Sequence, residues 1–245
     1  MSKTIISSLI IVSLASLGIN KAVDMYAPLE KDDRVYILLD FDGVLADSWK
    51  LSIDLLNSYS QDYGFAPISF EEARSLTSKQ LLKRYDLGLI SQFFLVEKIK
   101  DGLSKKISEI PLFKGLADIC EEFYRSNVVD FAIVTSNSEQ NVRDFLENHG
   151  LSFVSVIHSN SSLFGKGAAI SNFLKRNGVK KNNALYIGDE VRDIEGAKRA
   201  EIKSLAVTWG FDTEDNLILA NPDYLASTPD KVGEVIDSFI SLPRD

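Results

Sequence analysis

One cysteine in 245 residues, Cys120, rules out an intrachain disulfide. That fits a reducing compartment without requiring one. The two histidines, His149 and His158, fit no cluster of candidate ligands, and both read as surface or loop residues. Positive charge is also short, since 27 Lys and Arg against 35 Asp and Glu leave −8. With no basic excess to displace counterions, a nucleic-acid partner is excluded. An anionic ligand would need positive charge supplied locally, by a metal and a few placed cations. No internal repeat or low-complexity tract is present.

Long apolar runs are nearly absent too. Thr4 to Asn20 is uncharged and rich in Ile, Leu and Val, but it contains several serines. It falls short of the roughly 20 apolar residues that a membrane span needs. It reads in three ways: a secretory signal ending near Ser16-Leu17-Gly18, a membrane anchor, or a helix packed on the domain or on a partner subunit. The packed helix, in a cytoplasmic protein, is the favoured reading. Lys21 to Asp33 is a polar linker, so residues 1–33 stand apart from the rest of the chain.

The remainder suits an ordinary globular protein, at 45% hydrophobic and 25% charged residues overall. The length allows one substantial core and a small inserted unit. Its centre is Val35 to Leu39, an unbroken apolar run that predicts a strand buried on both faces of a parallel sheet. The run ends in Asp40-Phe41-Asp42-Gly43. Residues i and i+2 of an extended chain project to one side, so Asp40 and Asp42 share one strand end. Two such carboxylates stay ionised together only beside a cation or strong donors. Gly43 lets the chain leave sharply; a plain polar turn would use the same residues.

After Ser48 the spacing turns helical. Trp49, Ile53, Leu56 and Tyr59 recur at helical intervals, Ser69 with Glu72 predicts a capping box, and Ile90 to Ile107 predicts a long helix. Nothing in 49–110 resembles a buried strand, so this is an all-helical insertion. Strand then alternates with helix. Strands are expected at 130–135, 153–157, 184–188 and 204–207. Helices are expected at 116–124, 138–148, 166–177, 194–200 and 232–241. The predicted fold is α/β, a doubly wound parallel sheet with a small helical cap inserted after the first core strand. The core comprises residues 34–48 and 111–245, and the cap residues 49–110.

Ligands of open α/β sheets sit beyond the carboxyl ends of the strands. Asp40 and Asp42, Thr135-Ser136-Asn137 and Asp189-Glu190 with Asp193 all fall there, and Lys166 begins a helix at the same level. Taken singly, each has a plainer role as a cap, a turn or an exposed loop residue. Together and in this order they resemble the haloacid dehalogenase-like hydrolases, and in particular the phosphoglycolate phosphatase-like branch. The resemblance rests on Asp40-Phe41-Asp42-Gly43-Val44-Leu45-Ala46-Asp47-Ser48, Thr135, Lys166, Gly188-Asp189-Glu190-Val191-Arg192-Asp193, and the tail motifs Val207-Thr208-Trp209-Gly210-Phe211 and Asn221-Pro222-Asp223-Tyr224. It covers about Arg34 to Leu242, apart from the helical insertion. The proline that often follows the lysine in relatives is missing from Gly165-Lys166-Gly167.

The resemblance implies phosphoryl transfer from a small phosphorylated metabolite. Asp40 would be the nucleophile, forming an aspartyl-phosphate, and Asp42 the acid and then the base. A Mg²⁺ ion would be held by Asp40, Asp189 and the main-chain carbonyl of Asp42. Thr135 would bind phosphate, helped by the N–H groups of Ser136 and Asn137, and Lys166 would offset charge on the nucleophile and phosphoryl oxygens. Asp193 and Glu190 stand behind these, Asp193 orienting metal-bound water or Lys166. Specificity contacts are expected just after Ser48 and on the helices around Lys79 to Arg84. A phosphomutase of the same fold and a non-catalytic phosphate-binding module are the alternatives.

Overall fold

The computed structural model describes residues 34–159 and 165–243, apart from the side chains of Ser78, Lys79 and Leu82. The apolar run at 4–20 and the linker through residue 33 lie outside them. Strand β1 is Val35–Leu39, and five helices follow it: α1 Trp49–Ser58, α2 Ser60–Tyr63, α3 Phe70–Arg74, α4 Ser78–Arg84 and α5 Leu89–Lys105. Then come α6 Lys114–Arg125, β2 Val129–Thr135, α7 Glu139–Asn148, β3 Val154–Ser159, α8 Gly165–Asn177, β4 Ala184–Gly188 and α9 Val191–Ala200. The chain continues with β5 Lys203–Val207, α10 Glu214–Leu219, β6 Tyr224–Ala226 and α11 Pro229–Ile240. No helix among the described residues is long and apolar enough to cross a membrane.

All strand pairs are parallel, in the order β3-β2-β1-β4-β5-β6. Leu39 at the end of β1 lies opposite Ile133 of β2 and Ile187 of β4. Strand order therefore reverses beside β1, and the crevice beyond β1, β2 and β4 is where such sheets bind ligands. Both faces of β1 are covered, which is why its sequence is continuously apolar. Ile37 and Leu39 join Leu116, Cys120, Phe145 and Ile236 from α6, α7 and α11. Leu38 joins Ala169, Phe173 and Ala197 from α8 and α9.

Helices α1 to α5 enclose an apolar cluster of their own, including Ile53, Leu56, Ala73 and Leu95, with Phe211 reaching in from the loop after β5. Ser69 caps α3 by accepting from the Glu72 N–H at 3.1 Å. The Glu72 carboxylate turns instead to Arg84 at 2.8 Å, and the reciprocal capping box is built at Thr77 and Gln80. Helix α9 starts earlier than its apolar period implies, because side chains rather than packing satisfy its first N–H groups. The sequence pattern did not indicate α10 or β6. Both are too short to show a period, and β6 is placed by its register on β5 and by Asp223, which accepts from the Ser204 N–H at 3.0 Å.

Candidate active site

The turn after β1 is tight. Gly43 takes φ +77°, and the N–H groups of Val44, Leu45 and Ala46 converge on the Phe41 carbonyl at 3.4, 3.0 and 3.0 Å. This geometry sends the Asp40 and Asp42 side chains to different partners. Asp40 Oδ1 accepts the Phe41 N–H at 2.8 Å, and Oδ2 takes the Lys166 ammonium at 2.6 Å. Asp42 Oδ1 accepts from the Ser48 hydroxyl at 2.7 Å and Oδ2 from Asn137 Nδ2 at 3.0 Å. Ser48 opens α1 but makes no side-chain cap, so its hydroxyl serves Asp42 instead.

The two carboxyls are driven apart electrostatically. Burial would raise Asp40, but Lys166 and Arg192 outweigh it and hold the group below its ordinary range. Asp42 is raised by burial and by the Asp40 charge, against the opposing bonds from Ser48 and Asn137. The two environments thus push the carboxyls in opposite directions, as in sites where paired carboxyls divide nucleophile and acid roles.

Lys166 reaches this centre although no proline follows it. Its Nζ lies 3.1 Å from Asp193 Oδ1 as well as 2.6 Å from Asp40. The approach depends on Gly196 of α9, where a Cβ would fall 2.8 Å from the lysine's Cγ. Asp193 Oδ2 accepts the N–H groups of Asp189 and Glu190 at 3.2 and 3.0 Å, while burial pushes its carboxyl up to about 7. Glu190 holds the Arg192 guanidinium, with Nε 2.9 Å away.

Asp189 is gripped from the β5–α10 loop, where the Phe211 N–H donates to Oδ2 at 2.7 Å. A Cβ on Gly43 would come within 2.0 Å of that oxygen, and one on Gly210 within 2.3 Å. Both glycines are therefore required by the space that Asp189 fills. Asp212 closes the same loop. Its Oδ2 accepts the Val191 N–H at 2.7 Å, at the first turn of α9. Arg74 of α3 donates to the Gly210 carbonyl at 3.4 Å, so the helical insertion touches this loop as well.

Carboxylate oxygens of Asp40, Asp189 and Asp193 lie within 4.8 Å of one another. Asp189 Oδ1 is buried without a hydrogen-bond partner. Burial first, then the charges of Glu190, Asp193 and Asp40, push its carboxyl well above the usual range. An unmatched Asp189 oxygen among three acids and a single lysine would suit a hard divalent cation, whose charge would reverse that shift. The carboxylate of Asp42 is not in this group, and the reading from sequence had used only its main-chain carbonyl.

Thr135 lies at the end of β2, 2% exposed, and its Oγ1 accepts the Asn137 N–H at 3.0 Å. That N–H points inward to the hydroxyl. Ser136 and Asn137 border a cleft of about 480 Å³ that α5 closes with Phe93, Glu97, Lys100 and Ser104. Of the residues singled out from sequence, Asp40, Asp42, Asn137, Lys166, Asp189 and Asp193 converge. Thr135, Ser136 and Glu190 stand at the border. Ser48, Asn141, Arg192 and Asp212 had not been singled out. Ser48 and Arg192 stood inside the quoted motifs without a role, and Asn141 carried a signal as a polar residue one turn before Phe145 on the apolar stripe of α7.

A doubly wound α/β protein with a buried carboxylate and lysine centre at its switch point is, by fold and site together, an enzyme of the Rossmann-like class. The model of the family described as haloacid dehalogenase-like hydrolase matches residues 37–207. The chain belongs to that family and is a hydrolase. Phosphoglycolate phosphatase of Synechococcus elongatus is 32% identical over 208 residues, covering 83% of this chain and 98% of its own. The enzyme of that name from Vibrio parahaemolyticus is 23% identical, over 85% of this chain and 98% of its own. Among solved structures, a predicted phosphatase from Clostridium acetobutylicum superposes with a TM-score of 0.73 at 19% identity, covering 83% of this chain and 98% of its own.

Proposed function

We propose that the protein is a magnesium-dependent phosphomonoesterase that works through an aspartyl-phosphate on Asp40. The observation that carries this reading is the division of labour at one strand end. Lys166 and the Phe41 N–H favour the ionised form of Asp40, while burial and the Asp40 charge raise Asp42 above its ordinary range. In the first step Asp40 attacks phosphorus. The bond from phosphorus to the leaving oxygen breaks, and that oxygen takes the proton of Asp42. In the second step Asp42 accepts a proton from the water that splits the acyl-phosphate, restoring both carboxyls. Thr135 and Ser136 border the phosphate position, and Lys166 balances the added charge.

Asp40, Asp189 and the Asp42 carbonyl would hold the magnesium, with Asp193 and Glu190 behind them. Bound there, the ion supplies positive charge that lets a carboxylate approach a phosphate dianion. We assign residues 49–110 as a cap over a core of 34–48 and 111–245. The separate apolar cluster of that segment and its cleft against Ser136 and Asn137 support the assignment. Cap closure would exclude water during the first step. The names of the curated relatives make 2-phosphoglycolate the first substrate to try, with sugar phosphates and nucleoside monophosphates beside it. We place the enzyme in the cytoplasm, in keeping with its single buried thiol.

The test is turnover of para-nitrophenyl phosphate and of a panel of alkyl phosphomonoesters by the full chain, with magnesium and with EDTA. Turnover should need the metal and be lost in Asp40→Asn. A wild-type protein inert toward every ester in magnesium, or an Asp40→Asn variant as active as wild type, overturns the reading.

A further inference from the structure

Asp42 is joined to the helical insertion by an unbroken row of neutral donors. Ser104 Oγ on α5 donates to Asn141 Oδ1 at 2.7 Å. Asn141 Nδ2 donates to Asn137 Oδ1 at 2.9 Å, and Asn137 Nδ2 donates to Asp42 Oδ2 at 3.0 Å. Asn137 and Asn141 are each 8% exposed. A buried amide is costly unless its donors and acceptors are matched. Here each link is used.

The direction of the row is set by the backbone rather than by the choice of amide orientation. The Ser138 N–H, which can only donate, points at Asn137 Oδ1 from 2.8 Å. That end of Asn137 is therefore the carbonyl oxygen, and its NH₂ must face Asp42. Asn141 then has to offer its own NH₂ to the same oxygen, which turns its carbonyl toward Ser104. A flip of either amide would set oxygen against oxygen.

We propose that Asn141 is a positioning residue for Asp42, acting through Asn137, and that Ser104 ties this arrangement to α5. The inference rests on the reading of Asp42 as the acid of the first step. Oδ2 is permanently engaged as an acceptor from Asn137, so Oδ1 carries the proton that moves to the leaving oxygen. The Ser48 hydroxyl beside Oδ1 rotates to donate to the ionised form or accept from the protonated one. The orientation of the acid therefore depends on where α5 sits, although no α5 residue needs to touch the reacting atoms.

The leaving group provides the test, because a nitrophenolate departs with little help whereas an alkoxide needs its proton. The comparison uses kcat/KM, which reports the first phosphoryl transfer, for para-nitrophenyl phosphate and for the alkyl phosphomonoester that wild type hydrolyses fastest. Asn141→Ala should lower kcat/KM for the alkyl ester by about 10–100-fold, part of the about 10²–10⁴-fold that acid–base catalysis supplies. The aryl ester should change by less than about threefold. Asn141→Asp keeps the shape but not the donor, so it should lose as much as alanine, and Ser104→Ala should lose less in the same direction. Equal losses on both esters, or an Asn141→Asp variant equal to wild type, would overturn the proposal and leave Asn141 a packing residue. Asp42→Asn is the reference: if it does not discriminate between the esters, the acid reading itself has failed.

Discussion

The two walls that flank Asp40 and Asp42 are built on opposite principles. The β4–α9 wall carries Asp189, Glu190 and Asp193, with Asp212 behind, and three of its buried oxygens, Asp189 Oδ1, Asp193 Oδ1 and Asp212 Oδ1, have no hydrogen-bond partner, although Asp193 Oδ1 keeps its ion pair with Lys166. Burial first, then its acidic neighbour Glu190, pushes Asp212 up to about 6. The wall after β2 is made of Thr135, Asn137, Ser138 and Asn141, neutral groups that satisfy one another. An acidic wall with oxygens to spare would be completed by a bound cation. The amide wall is complete as it stands, so its contribution is orientation, which falls off gradually as pieces are removed.

The largest effect should come from breaking the acidic wall at Asp189, which carries one of its unmatched oxygens. Asp189→Ala should raise the magnesium concentration for half-maximal activity more than about 100-fold, above the 10–100-fold typical of residues that only orient ligands. Titration of magnesium by calorimetry gives the same quantity without turnover. A variant with wild-type magnesium affinity would remove Asp189 from the metal site. On the other wall, Asn137→Ala should leave magnesium affinity unchanged and lower kcat/KM for alkyl esters, because it strips a donor from Asp42 and none from the acids.

Gly210→Ala comes next, and it probes the acidic wall without changing any charge. The new Cβ would meet Asp189 Cβ and Oδ2 at 2.3 Å, too close for rotamer adjustment alone to relieve. Overpacking of this kind costs about 1–3 kcal/mol, seen as a lower midpoint in urea, and magnesium affinity should fall with it. Gly233→Ala is the control. It sits inside α11 with its nearest new neighbour, Ile119 Cγ2, at 3.6 Å, so it should stabilise by about 0.4–1 kcal/mol and leave magnesium affinity alone.

The same contrast explains what could be read from the sequence. Asp40, Asp42 and Asp189 were legible because each follows the end of an apolar strand, and strand periodicity is a local signal. The positions of five strands along the chain and the helical character of 49–110 followed for the same reason. Of the amide wall, Thr135 and Asn137 were legible as a strand end, but not the contacts they make. Its contacts join residues such as Asn137 and Asp42, 95 positions apart, and Asn or Ser in a helix start is ordinary composition. Asp212 was invisible for a related reason: its role is to cap α9 from a different loop, a contact that only the fold creates. Ser48 was in view as part of the first motif, but its spacing suited a helix cap equally well.

The smallest expected effect separates two functions held by one residue of the amide wall. Ser138 gives its backbone N–H to Asn137 Oδ1 at 2.8 Å, and its hydroxyl accepts the Asn141 N–H at 3.1 Å as the cap of α7. Ser138→Ala removes the cap and keeps the N–H. Losing a serine cap costs about 0.5–2 kcal/mol, so thermal stability should drop measurably. The donor that fixes the orientation of Asn137 survives, and kcat/KM on alkyl esters should stay within about twofold of wild type. If activity instead fell tenfold with so small a loss of stability, the amide wall would depend on the helix start behind it. It would then need that helix start for support, much as the acidic wall would need a bound cation.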